Sequence, residues 1–212
     1  LYRVLRPYGG KANLACGSVA AARWRSLLAE AGIPVGEIHV GDGALVVERG
    51  ALRGAGSWTH QYGDAGNSYN SGDSIVRAPL KVQWWGGPGP ASAVNRHQYG
   101  PNPIAANGRF FMTGRHTITC GDVYNGFVYW TFHYPNLRRT GAKSWGGGQI
   151  TDGETVYVAS GDSCLLIDAE TGRLENVFRV PVLKEKYSLV AAKRFSVEGD
   201  PKTSGRVTLG KS

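Results

Sequence analysis

Residues 120–130 read CGDVYNGFVYW and residues 164–173 read CLLIDAETGR, so Asp122 and Gly126 recur 46 positions later as Asp168 and Gly172. Upstream, Asn107-Gly108 recurs as Asp152-Gly153 at an offset of 45, and one residue of slippage fits a loop. Self-similarity at about 40 to 50 residues belongs to architectures that stack one small unit on the next. Between these anchors the apolar residues fall into matching runs. RFFMTG (109–114) pairs with ETVYVAS (154–160), TITCGD (117–122) with CLLID (164–168), and FVYWTF (127–132) with RLENVF (173–178). Each run reads as a strand and each break as a tight turn.

The shared D-x-x-(T/N)-G has a local physical sense. An Asp side chain accepts bonds from turn amides, and Gly supplies the positive φ of a tight hairpin. Asp122, Asn125 and Gly126 fill the first copy, and Asp168, Thr171 and Gly172 the second. Trp130 closes the first copy and is large enough to wedge between neighbouring sheets. With Trp130 included, the pattern resembles the PQQ-like β-propeller repeat, whose blade hairpin carries A-x-D-x-x-T-G-x-x-x-W. Asn176 stands where the second copy would have its Trp.

Residues 54–88 read GAGSWTHQYGDAGNSYNSGDSIVRAPLKVQWWGGP. Trp58, Thr59, His60, Asp64, Asn67 and Ser71 match the W-T-H, D-x-x-N and S of the segment that leads into bacterial propellers of this type. PLKVQWW (79–85) resembles an outer strand that helps close the first blade. His60 beside Asp64 has the composition of an acid/base pair, while the same residues together with Trp58 and Tyr62 also suit a cap that pins the first blade.

The first fifty residues have another grammar. RVLRPYGG (3–10) is a loop that feeds KANLAC (11–16), short and apolar enough for a buried strand. Ser18 is positioned to cap a helix running to about Ala31, with Val19, Ala22, Leu27, Leu28 and Ala31 on its apolar face and Gly32 and Pro34 ending it. VGEIHV and ALVVERG, separated by GDG, read as a hairpin. This order, introduced by RVLRPYGG, resembles the C-terminal part of a class I S-adenosylmethionine-dependent methyltransferase. The cofactor site of that family lies on the earlier half of its sheet, which does not precede Leu1 here. The resemblance therefore assigns methyl transfer to a longer parent, and the opening LYRVLRPYGG reads as mid-element in a fragment.

Thirty-one glycines and ten tyrosines beside 19% charged residues fit many short strands. The expected fold is mainly β: about two four-stranded blades over residues 53–181, after an α/β segment over 1–52 and before a basic segment over 182–212. Of the net charge of +8, five units fall in the last 34 residues. No stacking platform is interleaved with that charge, so a solvated tail is expected and a nucleic-acid partner is not. Three cysteines without a CxxC indicate neither a disulfide framework nor zinc, and Cys16, Cys120 and Cys164 read as small buried or half-buried residues.

His39, His97, His116 and His133 lack metal-binding spacing. Asp152, Glu154, Asp162 and Asp168 could be imagined around calcium, but DGE and SGDS are ordinary turn compositions. WGGPGP (85–90) and SWGGGQ (144–149) lack the residues of a phosphate loop. No apolar run is long enough to span a membrane. The propeller resemblance implies pyrroloquinoline quinone and calcium only in relatives with adjacent cysteines and a full ring. No cofactor is therefore expected on this chain. The implied role is a protein-interaction or scaffolding module of a bacterial, envelope- or periplasm-associated protein, its partner being another protein or the remaining blades. The other classes are the tail of a methyltransferase and part of a quinoprotein oxidoreductase.

Overall fold

The computed structural model describes residues 2–41, 43–87, 102–114, 116–135, 148–160 and 162–179. The chain divides into a compact unit, Leu1–Phe178, and a second, Arg179–Ser212, of which only Arg179 is described. The basic segment, His97 and most of SWGGGQ lie outside the described residues.

The fold is mainly β, with three antiparallel sheets and, among the described residues, one α-helix. The first sheet holds β1 (Gly10–Ala15), β2 (Ile38–Gly41) and β3 (Ala44–Arg49) in the order β1-β3-β2. The GDG hairpin joins β2 to β3 in the expected place. KANLAC, expected as a buried strand, is instead a half-buried edge strand with alternating exposure. Among the described residues it pairs on one side only, with β3.

Helix α1 (Ser18–Glu30) also departs from expectation at its start and on its face. Gly17 is the N-cap and no side chain caps the helix, so Ser18 is the first helical residue and not the cap. Val19, Ala22, Leu27 and Ala31 are exposed, and the side that packs is Ala21, Leu28 and Ala29. The C-terminus closes as a Schellman motif: Gly32 N donates to Ala29 O at 3.0 Å and Ile33 N to Leu28 O at 3.1 Å. Ile33 then joins Ile38, Leu45 and Val47 in a small core.

The two copies of the repeat form two four-stranded meanders. One runs β4 (Ile104–Ala106), β5 (Arg109–Thr113), β6 (Thr117–Asp122) and β7 (Val128–His133). The other runs β8 (Gln149–Thr151), β9 (Thr155–Ser160), β10 (Ser163–Asp168) and β11 (Leu174–Arg179). The apolar runs located three strands in each copy. The fourth, β4 or β8, is only three residues long and is held by its neighbours more than by its own pattern. PLKVQWW, expected as an outer strand, forms no strand.

The main core lies between these two sheets. Ile104, Phe111, Ile118 and Cys120 from the first meet Val156, Val158, Leu165, Ile167 and Ala169 from the second, with Trp58, Trp130 and Phe132 packed around them. All three cysteines are free, Cys120 buried and the other two half-buried.

Candidate functional site

The D-x-x-(T/N)-G turns do the same work twice. In the first copy Gly126 N donates to Asp122 O at 2.9 Å and Tyr124 N to Asp122 Oδ1 at 2.7 Å. In the second, Gly172 N donates to Asp168 O at 2.9 Å, while Asp168 Oδ1 accepts from Thr171 N and Thr171 Oγ1, each at 2.6 Å. Asn125 and Thr171 then each accept from the amide two residues on, Phe127 N at 2.8 Å and Arg173 N at 3.3 Å. The hydroxyl and amide donors at Thr171 hold the Asp168 carboxyl below its usual range.

A tryptophan seats on each turn. Trp130 Nε1 donates to Ala169 O at 3.3 Å, and its ring covers Gly172. Trp84 Nε1 donates to Val123 O at 2.9 Å, and its ring covers Gly126. Trp84 lies 46 residues before Trp130, as Val123 lies 46 before Ala169, so the docking obeys the same period as the turns. The signal that would have found Trp84 is the offset itself. Asn176, a further 46 residues on from Trp130, is exposed and offers no ring.

The lead-in motif stitches the two sheets. Trp58 exchanges backbone bonds with Ala105 on β4, at 2.7 and 2.8 Å, and Thr59 O accepts from Thr151 N on β8 at 3.0 Å. Trp58 Nε1 donates to Gln61 O at 3.3 Å. His60 Nδ1 sits 2.9 Å from Thr59 Oγ1, whereas Asp64 Oδ1 accepts from Gly66 N and Ser68 N and Oδ2 from Ser68 Oγ at 2.7 Å. The two side chains bond different partners, His60 in the strand-like stitch and Asp64 in its own loop, where the Ser68 hydroxyl above all, with a smaller contribution from His60, lowers the Asp64 pKa. Asn67 turns the loop with φ 55°, and Tyr62 stacks on Tyr69 with centroids 5.1 Å apart.

Gln149, read in the sequence only as the end of the Gly-rich SWGGGQ, is buried between the sheets. Its Nε2 donates to Asn102 O at 3.1 Å and Phe111 O at 3.2 Å, and its Oε1 accepts from Thr113 Oγ1 at 2.6 Å. A buried amide with its bonds made fixes the register of one sheet on the other.

The acids once imagined around calcium serve separate turns. Asp152 accepts from Glu154 N, Thr155 N and Tyr157 Oη, and Asp162 from Ser163 Oγ. Among the described residues no group of three or more His, Cys, Asp or Glu stands together as a metal site, and no helix is long and apolar enough to cross a membrane.

Of the two repeat aspartates, Asp122 differs from Asp168 in having an arginine partner from outside its own turn. It is fully buried and pairs with Arg6 Nε, and its Oδ2 also accepts from Tyr129 Oη at 2.6 Å. Burial would push its carboxyl up, but the bonds from Tyr129, Tyr124 N and Arg6 outweigh this and hold it below the usual value. The Tyr129 phenol is pushed up to about 12, first by burial and then by its bond to Asp122. Compared with known proteins, the chain matches no protein-family model and no curated protein.

Proposed function

We propose that residues 53–181 are blades of a PQQ-like β-propeller and act as a protein-interaction or scaffolding module, with no chemistry of their own. The observation that carries this reading is the repeated docking of Trp84 on Gly126 and Trp130 on Gly172. A seat used twice at one spacing is a device for adding like sheets side by side. The carboxylates of the turn motif are spent on their own backbone or, at Asp122, on an internal ion pair.

Large apolar side chains are exposed among the described residues. Trp85 is 95% exposed, Val82 79% and Phe178 58%. In this reading these exposed side chains are covered by further blades or a protein partner. A bacterial, envelope- or periplasm-associated setting belongs to the same reading.

Sedimentation velocity over a concentration series is the test. Association that grows with concentration, and weakens in Phe178→Ser and Trp85→Ser, is expected. A sharply melting monomer at every concentration would overturn the reading. So would calorimetric binding of S-adenosylmethionine, which would move the activity to the methyltransferase-like segment.

A further inference from the structure

The N-terminal sheet and the repeat sheets each own a separate apolar core, Ile33, Ile38, Leu45 and Val47 in one and the Phe111 and Ile167 cluster in the other. Polar groups join them. The loop of residues 5–9 is tied to β3, with Tyr8 N donating to Gly50 O at 2.9 Å, Gly9 N to Arg49 O at 2.7 Å and Arg49 Nη1 to Leu5 O at 2.5 Å. From that loop Arg6 reaches Asp122, lies 5.2 Å over the Tyr129 ring and donates through Nη1 to Tyr8 O at 2.5 Å. The Tyr8 ring rests against Gly108.

We propose that the Arg6–Asp122 pair is a latch that fixes the N-terminal α/β segment to the first repeat sheet, so that breaking it loosens that segment while the repeat sheets stay folded. The inference is independent of the function proposed above. Its basis is the contrast between the two copies. In the second turn the Thr171 hydroxyl and amide both bind Asp168 Oδ1, and the carboxylate stays at the surface. In the first, Asn125 brings no hydroxyl to the carboxylate, and Asp122 Oδ2 points to Arg6 and Tyr129. One position of a repeat keeps its turn bonds through Oδ1 and adds, through Oδ2, a hold on a different part of the chain.

The buried Arg6 Nη2 has no hydrogen-bond partner among the described residues, so there the guanidinium relies on Asp122 and the Tyr8 carbonyl. Removing Arg6 leaves the Asp122 charge fully buried without its counter-ion, which favours the open state.

Hydrogen exchange followed by mass spectrometry, on the whole chain, separates a latch from a general loss of stability. Arg6→Met leaves the Asp122 turn amide bonds in place and is the primary variant. It should speed exchange in β1 and β3 by about tenfold, the cost of one charged hydrogen bond, and leave β9 and β10 unchanged. Asp122→Asn should do the same, the double variant should be no faster than the faster single one, and Asp168→Asn should leave β1 and β3 untouched. Unchanged exchange in β1 and β3 of Arg6→Met would overturn the proposal, as would equal acceleration in all three sheets. Should Asp122→Asn fail to fold, Tyr129→Phe takes its place, with a smaller effect confined to β1 and β3.

Discussion

Asp122 and Asp168 occupy the same place in the same turn, and their neighbours make them different residues. The repeat predicts that both accept from their turns, and both do. That one of them would also face an arginine 116 positions earlier is written nowhere near it in the chain. Cys120 shows the same dependence on surroundings. It is fully buried, and burial pushes its thiol up to about 12, so almost none of it is the thiolate that reacts. Iodoacetamide followed by peptide mass spectrometry should leave Cys120 unmodified in the native protein and modify it after denaturation. Native labelling would show that the inter-sheet core opens.

Among the elements, those with long, clean patterns were legible and those held by partners were not. β5, β6, β9 and β10 follow from runs of apolar and β-branched residues. β4 and β8 are three residues each, too short to carry a period, and exist because Ile104↔Phe111 and Ile150↔Tyr157 pair across to a longer strand. Helix α1 was found by composition and its stop signal, but which face packs depended on where β2 and β3 lie. The seats for the two tryptophans make a measurable claim. At Gly172, φ is 72° and an added Cβ would stand 2.5 Å from the Trp130 ring, so Gly172→Ala incurs both backbone strain and a clash. A loss of about 2–4 kcal/mol in urea unfolding is expected, with Trp130→Ala costing about 3 kcal/mol at the same joint. Gly172→Ala at wild-type stability would mean that Trp130 does not sit on the turn.

Across the whole molecule, acid should dissolve what the turns hold together. Asp64, Asp73, Asp122, Asp152 and Asp168 all have carboxyls below the ordinary value of 3.8 in the folded chain. A depressed folded value means that the stability each contributes is fully present above pH 3.8 and is lost as pH falls through the lower folded values. Urea midpoints should therefore hold steady from about pH 7 to 5 and drop steeply below the ordinary carboxylate range. Asp122→Asn should flatten part of that drop, since its charge is the buried one. A midpoint independent of pH below that range would show that these carboxylates keep no special bonds in the native state.

The sequence by itself determined the repeat: its period, its Asp and Gly turns, its strands and the break in composition before it, because these rest on local rules of φ, side-chain size and alternation. Only the tertiary structure decided that Trp84 is a docking residue and not part of a strand, that Gln149 locks two sheets, that His60 and Asp64 bond different partners, and that Asp122 answers to Arg6. Each of those depends on which distant group arrives at a given atom, and that is settled by packing, where hydrogen-bond capacity left over from local turns is filled by whatever the fold brings near.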